Sequence, residues 1–357
     1  MKISVTLPNF NHARFLPRAI EGILAQTHRD WQLFIVDDGS SDDSWVIMQR
    51  YVERDQRISI ERFQQNRGGH AAIDLCRARC TGALLYAAAA DDFVCNPRFF
   101  ELAVSSLARY PEAAGVFGGS QVARDEGSPL WTMGMYGTHL THVDPETAAR
   151  DFLDGKLFVP GASSIWRRDL LEALGWYDAA LGPQSDYYLN HALPMLHGVV
   201  SLNEVVSVTR LAEGSYSQAV DNEQYFRRHA MVEKRFRALD AIRLPEKAVG
   251  RWRRHIINGR LSYDRQMRLV ALYDETFAGL QEWERAGLLP EFLESGALLK
   301  DRIRQQLEAA KASAEKVFDE IAGPLRTQPS LRSGRRSFVR RIARALARRL
   351  ARLAGKV

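Results

Sequence analysis

The sequence has few cysteines and no long apolar run. Its three cysteines, Cys76, Cys80 and Cys95, are among 357 residues and none forms a CxxC pair. That excludes a disulfide framework and argues against a zinc site. No apolar stretch approaches the roughly 18–20 residues needed to span a bilayer. The longest, Ala83–Ala90, reads as a buried strand. Met1-Lys2 leads directly into Ile3-Ser4-Val5 without the pattern of a secretory signal. A cytoplasmic protein with reduced thiols is expected. With 46% hydrophobic and 26% charged residues, the chain is also not a disordered one.

Acidic residues are missing from one place in particular. Between Leu331 and Val357 there are ten basic residues and no acid, so of the total charge of +6 the rest of the chain carries −4. This is a mildly acidic globule with a basic tail. Within the tail, Phe338, Ile342, Leu346, Leu350 and Leu353 recur at helical spacing, with arginines on the other faces. A basic amphipathic helix over 335–357 suits an anionic membrane surface. Packing on the acidic body is the alternative, and no recognition motif supports a nucleic-acid partner.

The first hundred residues alternate strand and helix patterns. Strands are expected at Ile3–Leu7, Trp31–Val36, Ile58–Phe63 and Ala83–Ala89; helices at Phe15–Gln26, Ser44–Glu53 and Gly69–Ala78. Such alternation implies parallel strands joined by right-handed crossovers. Ligands of these sheets sit beyond the carboxyl ends of the strands. There fall Asn9 and Asn11, then Asp37-Asp38-Gly39-Ser40-Ser41, then Asp91-Asp92. The second group alone would serve as a turn and helix cap. Two adjacent carboxylates repel each other unless a cation or hydrogen bonds compensate, and hard oxygen donors suit Mg²⁺ or Mn²⁺ with a phosphate-bearing substrate. From 97 to 217 the pattern is mixed, with helices at Arg98–Arg109, Pro145–Leu153 and Tyr187–Leu196 and a strand at Ala114–Gly118. Beyond 218 it turns helical, and Gly323-Pro324 to Gly334 reads as a linker.

Taken together these segments resemble glycosyltransferase family 2. The resemblance runs through Ser4-Val5-Thr6-Leu7-Pro8-Asn9-Phe10-Asn11, the helix from Phe15 to Thr27, Ile35-Val36-Asp37-Asp38-Gly39-Ser40-Ser41-Asp42, Gln65-Asn66-Arg67-Gly68-Gly69, Asp91-Asp92, and Gly161 to Asp178. It implies a GT-A fold, that is, a Rossmann-like open mixed α/β sheet flanked by helices, over 1–217. The nucleotide-sugar half would be about 1–95 and the acceptor half about 96–217. A helical region (218–323), a linker (324–334) and the basic helix (335–357) would follow.

The resemblance also implies roles. Pro8, Phe10, Asp38, Arg67, Asp91 and Arg210 would bind the nucleotide sugar, with Phe10 stacking on the base, Asp38 accepting from it and Asp91 at the ribose. Asp92 would hold a divalent Mn²⁺ or Mg²⁺ on the diphosphate. Asp186 would be the general base for the acceptor hydroxyl, and direct displacement would invert the anomeric centre. Three positions depart from the family's pattern. Ala89-Ala90 precede Asp91-Asp92 where a further acid is usual, Ser185 precedes Asp186 where Glu is common, and Leu211-Ala212 follow Arg210 where Arg-x-His is frequent.

The function so implied is an inverting glycosyltransferase, with a UDP-sugar favoured as donor. Its acceptor would be a glycan or lipid-linked glycan, in bacterial cell-surface polysaccharide synthesis at the inner face of the membrane. Residues 218–323 would shape the acceptor site or mediate homo-oligomerisation. Two rivals stand beside this reading: a catalytically silent nucleotide-sugar-binding protein, and a scaffold acting through the helical half and tail.

Overall fold

In the computed structural model the residues described are 1–123, 129–211 and 222–260, less positions 240, 243 and 259. The chain divides into two units, Met1–Gly323 and Pro324–Val357. The linker, the basic tail, Ala212 and most of the 218–323 region lie outside the described residues.

The first half follows the expected alternation: β1 (Ile3–Asn9), α1 (Leu16–Leu24), β2 (Trp31–Asp37), α2 (Ser44–Arg54), β3 (Ile58–Arg62), α3 (Gly69–Arg79) and β4 (Leu84–Ala87). β3, β2, β1 and β4 lie side by side and parallel, in that order. β2 shows why these strands read as unbroken apolar runs. Leu33 and Ile35 pack with α1 and α2 on one face, while Phe34 and Val36 pack on Ala72 and Cys76 of α3 on the other.

Beyond β4 the sheet becomes mixed. β5 (Phe93–Val94), α4 (Phe99–Arg109), β6 (Gly115–Ala123), β7 (Pro129–Met133), β8 (Thr141–Val143), α5 (Pro145–Leu153), β9 (Ser164–Arg167), α6 (Arg168–Ala173), α7 (Ser185–His197) and β10 (Val199–Arg210) follow. β9 inserts antiparallel between β4 and β6, and β10 runs parallel to β6 and antiparallel to β5 and β8. Five strands, β5 and β7–β10, have no counterpart in the expected elements. The expected Ala114–Gly118 strand continues to Ala123, and the expected Tyr187–Leu196 helix begins two residues earlier, at Ser185.

Two anchors fix the joint between the halves. Gln26, fully buried, donates to the Gly22 and Asn96 carbonyls (3.1 and 2.9 Å) and accepts from the Phe100 N–H (3.0 Å), so α1 is tied to the β5–α4 segment. A side chain on Gly22 would meet the Val94 carbonyl at 2.4 Å, which is how closely α1 lies on β5. On the other side, α8 (Asn222–Arg237) and the 246–258 helix share one core with α5 and α7, through Phe226, Phe236 and Trp252 against Phe152 and Tyr188. Arg253 is paired with Glu233 inside that core (2.6 and 2.9 Å).

Candidate active site

The acids after β2 divide their work. Asp37 is fully buried, ion-paired with Arg62 at 3.0 Å, and accepts from Asn9 Nδ2 (3.2 Å) and the Ser40 hydroxyl. It holds the ends of β1, β2 and β3 together. Asp38, also buried, accepts the backbone N–H of Arg67 at one oxygen (2.6 Å) and of Gly68 at the other (2.9 Å), while its own N–H donates to the Asn9 carbonyl (2.8 Å). The 65–68 loop is thus fastened to the end of β2. Gly39 permits the approach: its φ is +74°, and a Cβ there would lie 2.6 Å from the Gln65 carbonyl carbon.

Above this frame stand the candidate donor-side groups. Pro8 is half-buried in β1, paired with Val36. Phe10 is 41% exposed, the opposite of a core residue. It is displayed by a turn in which Asn11 has a φ of +55° and accepts from the Ser41 N–H (2.8 Å). Arg67 is exposed, its guanidinium 4.6 Å above the Phe63 ring.

Asp91 and Asp92 follow β4, and β10 ends beside them. The Arg210 N–H donates to Asp92 Oδ1 and its guanidinium to the Asp91 carbonyl, both at 2.8 Å. Burial and the neighbouring Asp91 charge push the Asp92 carboxyl well above the usual range, against the N–H and charge of Arg210 and the Thr209 hydroxyl. Among the described residues no three His, Cys, Asp or Glu side chains cluster to hold a metal ion. A hard cation here could take Asp92 as a carboxylate ligand, its other donors coming from a phosphate-bearing ligand. A cation at that point would relieve the crowded charge of the two acids.

Asp186 lies in the first turn of α7, with Gln184 rather than Asp186 in the capping position. One oxygen accepts the Tyr187 N–H (2.6 Å); the other faces Gly161, where an added Cβ would stand 2.8 Å away. Burial raises its pKa from 3.8 to about 6, so at neutral pH it is a carboxylate with enhanced basicity. His191, one turn on, is a packing group: buried against Phe152, it accepts the Val159 N–H (3.3 Å) and donates to the Tyr187 carbonyl (2.7 Å). Its pKa falls to about 4.

The 3-10 turn Gly161–Ser163 joins the two acidic centres. Tyr86, at the centre of β4, donates its hydroxyl to the Ala162 carbonyl (2.9 Å); β5, directly after Asp92, packs on the same turn; and Gly161 faces Asp186. Thr209 and Gly161 were not picked out from the sequence, because each meets its acid only through a contact made in three dimensions. Gly161 and the residues after it at least lay inside a recognised segment.

Solved structures share this architecture. The structure of S. aureus TarS 1–349 in complex with UDP-GlcNAc superimposes with a TM-score of 0.59 over 71% of this chain and 72% of that one, at 16% identity. A mannosyltransferase, PcManGT from Pyrobaculum calidifontis, in complex with GDP-Man and Mn²⁺, does so with a TM-score of 0.54 over 89% and 86%, at 17% identity. The fold is therefore GT-A. Residues 4–175, just under half of the chain, match the family described as glycosyl transferase family 2. TuaG of Bacillus subtilis (strain 168), named for teichuronic acid biosynthesis, is 30% identical over 90 residues, 25% of this chain and 36% of that protein. The chain spans about a third of the length of the curated relatives it matches.

Proposed function

We propose that this protein is an inverting glycosyltransferase that moves a sugar from a nucleoside diphosphate, UDP favoured, to a hydroxyl of a glycan or lipid-linked glycan. The observation that carries the reading is the turn at Gly161–Ser163, which faces a carboxylate of raised pKa on one side and, on the other, touches Tyr86 of β4 and β5, the strands between which Asp91 and Asp92 lie. A base and an acidic, cation-compatible strand end are what a single displacement between a hydroxyl and a diphosphate ester requires.

In this reading Phe10 stacks on the base, and Asp38 accepts from it with the lone pairs its loop contacts leave. Pro8 and Arg67 border the nucleoside, and Asp91 meets the ribose. Asp186 takes the proton of the acceptor hydroxyl as that oxygen bonds to the anomeric carbon. The bond from that carbon to the diphosphate oxygen breaks, its electron pair leaving with the diphosphate. One displacement inverts configuration. Arg210 faces the charge that develops on the leaving group. Mn²⁺ or Mg²⁺ at Asp92 would supply Lewis-acid stabilisation of the same charge. The sugar nucleotides in the TarS and PcManGT structures support a nucleotide-sugar donor, and the name of TuaG supports a setting in bacterial surface-polysaccharide synthesis. No described helix is long and apolar enough to cross a membrane, and we place attachment to an anionic membrane on 335–357.

The test uses the purified chain with UDP-, dTDP- and GDP-sugars, with and without Mn²⁺ or Mg²⁺. Metal-dependent release of one nucleoside diphosphate is expected, lost in Asp92→Ala and Asp186→Asn. Binding without turnover, even with glycan acceptors present, would leave a silent nucleotide-sugar-binding protein. Absence of binding by every donor would refute the proposal.

A further inference from the structure

Phe93 stands between the acidic pair and α1. Its ring lies 4.7 Å from the Arg210 guanidinium carbon and 4.7 Å from that of Arg18, an exposed residue of α1. Arg210 also lies 5.2 Å from the Phe15 ring. Phe93 is held on both sides of its own strand: its register partner in β10 is Val208, and the neighbouring Val94 touches Gly22 of α1. The backbone that carries the ring is therefore fixed by strand pairing, leaving two side-chain torsions, whereas an arginine side chain has more freely rotating bonds. One aromatic surface next in sequence to Asp92, shared by two guanidinium groups of which Arg210 also contacts Asp91 and Asp92, is more than the packing of a half-buried side chain calls for. A guanidinium over a ring face is attracted by the ring's quadrupole and loses rotamer freedom there.

We propose that Phe93 is a positioning residue for the leaving diphosphate: its ring sets the Arg210 guanidinium in the orientation that meets the phosphates, with Phe15 as a second wall. Arg210 already spends one N–H on the Asp91 carbonyl, which fixes one end of the fork; the ring fixes its plane. The inference rests on the reading of Arg210 as a diphosphate ligand given above.

The test is titration calorimetry with UDP, dTDP and GDP and with the corresponding monophosphates. It compares the wild type, Phe93→Leu, Phe93→Tyr, Arg210→Ala and the Phe93→Leu/Arg210→Ala double variant, with thermal melting as a check on folding. For the diphosphate that the wild type binds, Phe93→Leu is expected to weaken affinity about fivefold, the size of one cation–π contact. Phe93→Tyr is expected to restore it to within about twofold. The monophosphate is expected to bind all Phe93 variants alike, and Phe93→Leu to add nothing on the Arg210→Ala background. Unchanged diphosphate affinity in Phe93→Leu would overturn the inference alone. So would equal weakening of both nucleotides, or the same loss with and without Arg210. A wild type that binds none of the diphosphates would overturn the donor reading and this inference with it.

Discussion

Replacing Asp186 with Asn should make the protein more stable and less active, with a pH dependence that identifies the cause. Asn is nearly isosteric and keeps an oxygen to accept the Tyr187 N–H. What it removes is a charge confined against Gly161. The folded-state pKa of Asp186 is about 6 against an ordinary 3.8, a difference of about two units, worth about 3 kcal/mol at pH 8. Because the folded value is the higher one, the contribution of the neutral acid is fully present below about pH 4. It is lost as pH rises through 6. Asp186→Asn should therefore exceed the wild type by up to about 3 kcal/mol at pH 8, with the gap closing towards zero at pH 4. Urea denaturation at both pH values, with equal slopes, measures this. His191 and His229, both held down to about 4 by burial, run the other way, costing stability as pH falls from 6.5 to 4. They are common to both proteins and cancel in the comparison. On the catalytic side, wild-type kcat/KM should fall tenfold per pH unit below about 6, and Asp186→Asn should lose about 10²–10⁴ at pH 8. A variant no more stable than wild type at pH 8, or a gap that persists at pH 4, would refute the desolvation argument. Retained activity would refute the base.

Three further substitutions probe the frame. Gly161→Ala puts a methyl 2.8 Å from the Asp186 carboxylate oxygen, so kcat should drop about 10- to 100-fold while nucleotide affinity by calorimetry stays within twofold. Gly39→Ala combines a positive φ with overlap of the 65–66 backbone and should cost at least about 2 kcal/mol in urea unfolding. Glu233→Ala deprives the buried Arg253 of its carboxylate and should cost about 3–5 kcal/mol, read in the same assay, with the isosteric but neutral Glu233→Gln costing less.

The first half, β1 to β4, was legible because strand ends, turns and caps are local events. An apolar run that stops at Asn9, Asp37 or Asp91 announces both the strand and the place where its carboxyl end opens, and β1, β2 and β4 end within a few residues of those positions. The second half was less so. β9 pairs antiparallel with β4 across some eighty positions of sequence, and the two-residue β5 has too short a pattern to register as a strand. α8 reads as a generic charged helix, with Glu223, Arg227 and Lys234 on its surface, yet Phe226, Ala230 and Phe236 enter the core that backs α7. Which face is buried depends on neighbours that come from α5 and the 246–258 helix. Gly161 could not be singled out at all, because its importance is the room it leaves for a carboxylate twenty-five residues later.

The stretch Asp37–Asp42 shows why a motif that is easy to recognise is hard to interpret residue by residue. Asp37 and Ser40 are spent on each other, on Asn9 and on Arg62; Asp42 accepts the Ala13 and Ser44 N–H groups and so fastens α1's approach to the start of α2. These contacts are those of turn residues, and the ligand contacts proposed for the stretch would fall on other atoms. Asp38 makes the point most clearly. Its two oxygens receive the Arg67 and Gly68 N–H groups, contacts that position the loop bearing Arg67, and each oxygen retains a lone pair that a base N–H can use. Asp38→Asn would leave one of those two N–H groups facing an amide NH₂ instead of an acceptor. It should therefore loosen the 65–68 loop as well as remove the contact proposed above to the nucleotide. Loss of nucleotide affinity in that variant should be accompanied by faster proteolysis within 65–68, whereas Phe10→Ala, which touches no part of that frame, should weaken binding and leave the loop's protection unchanged.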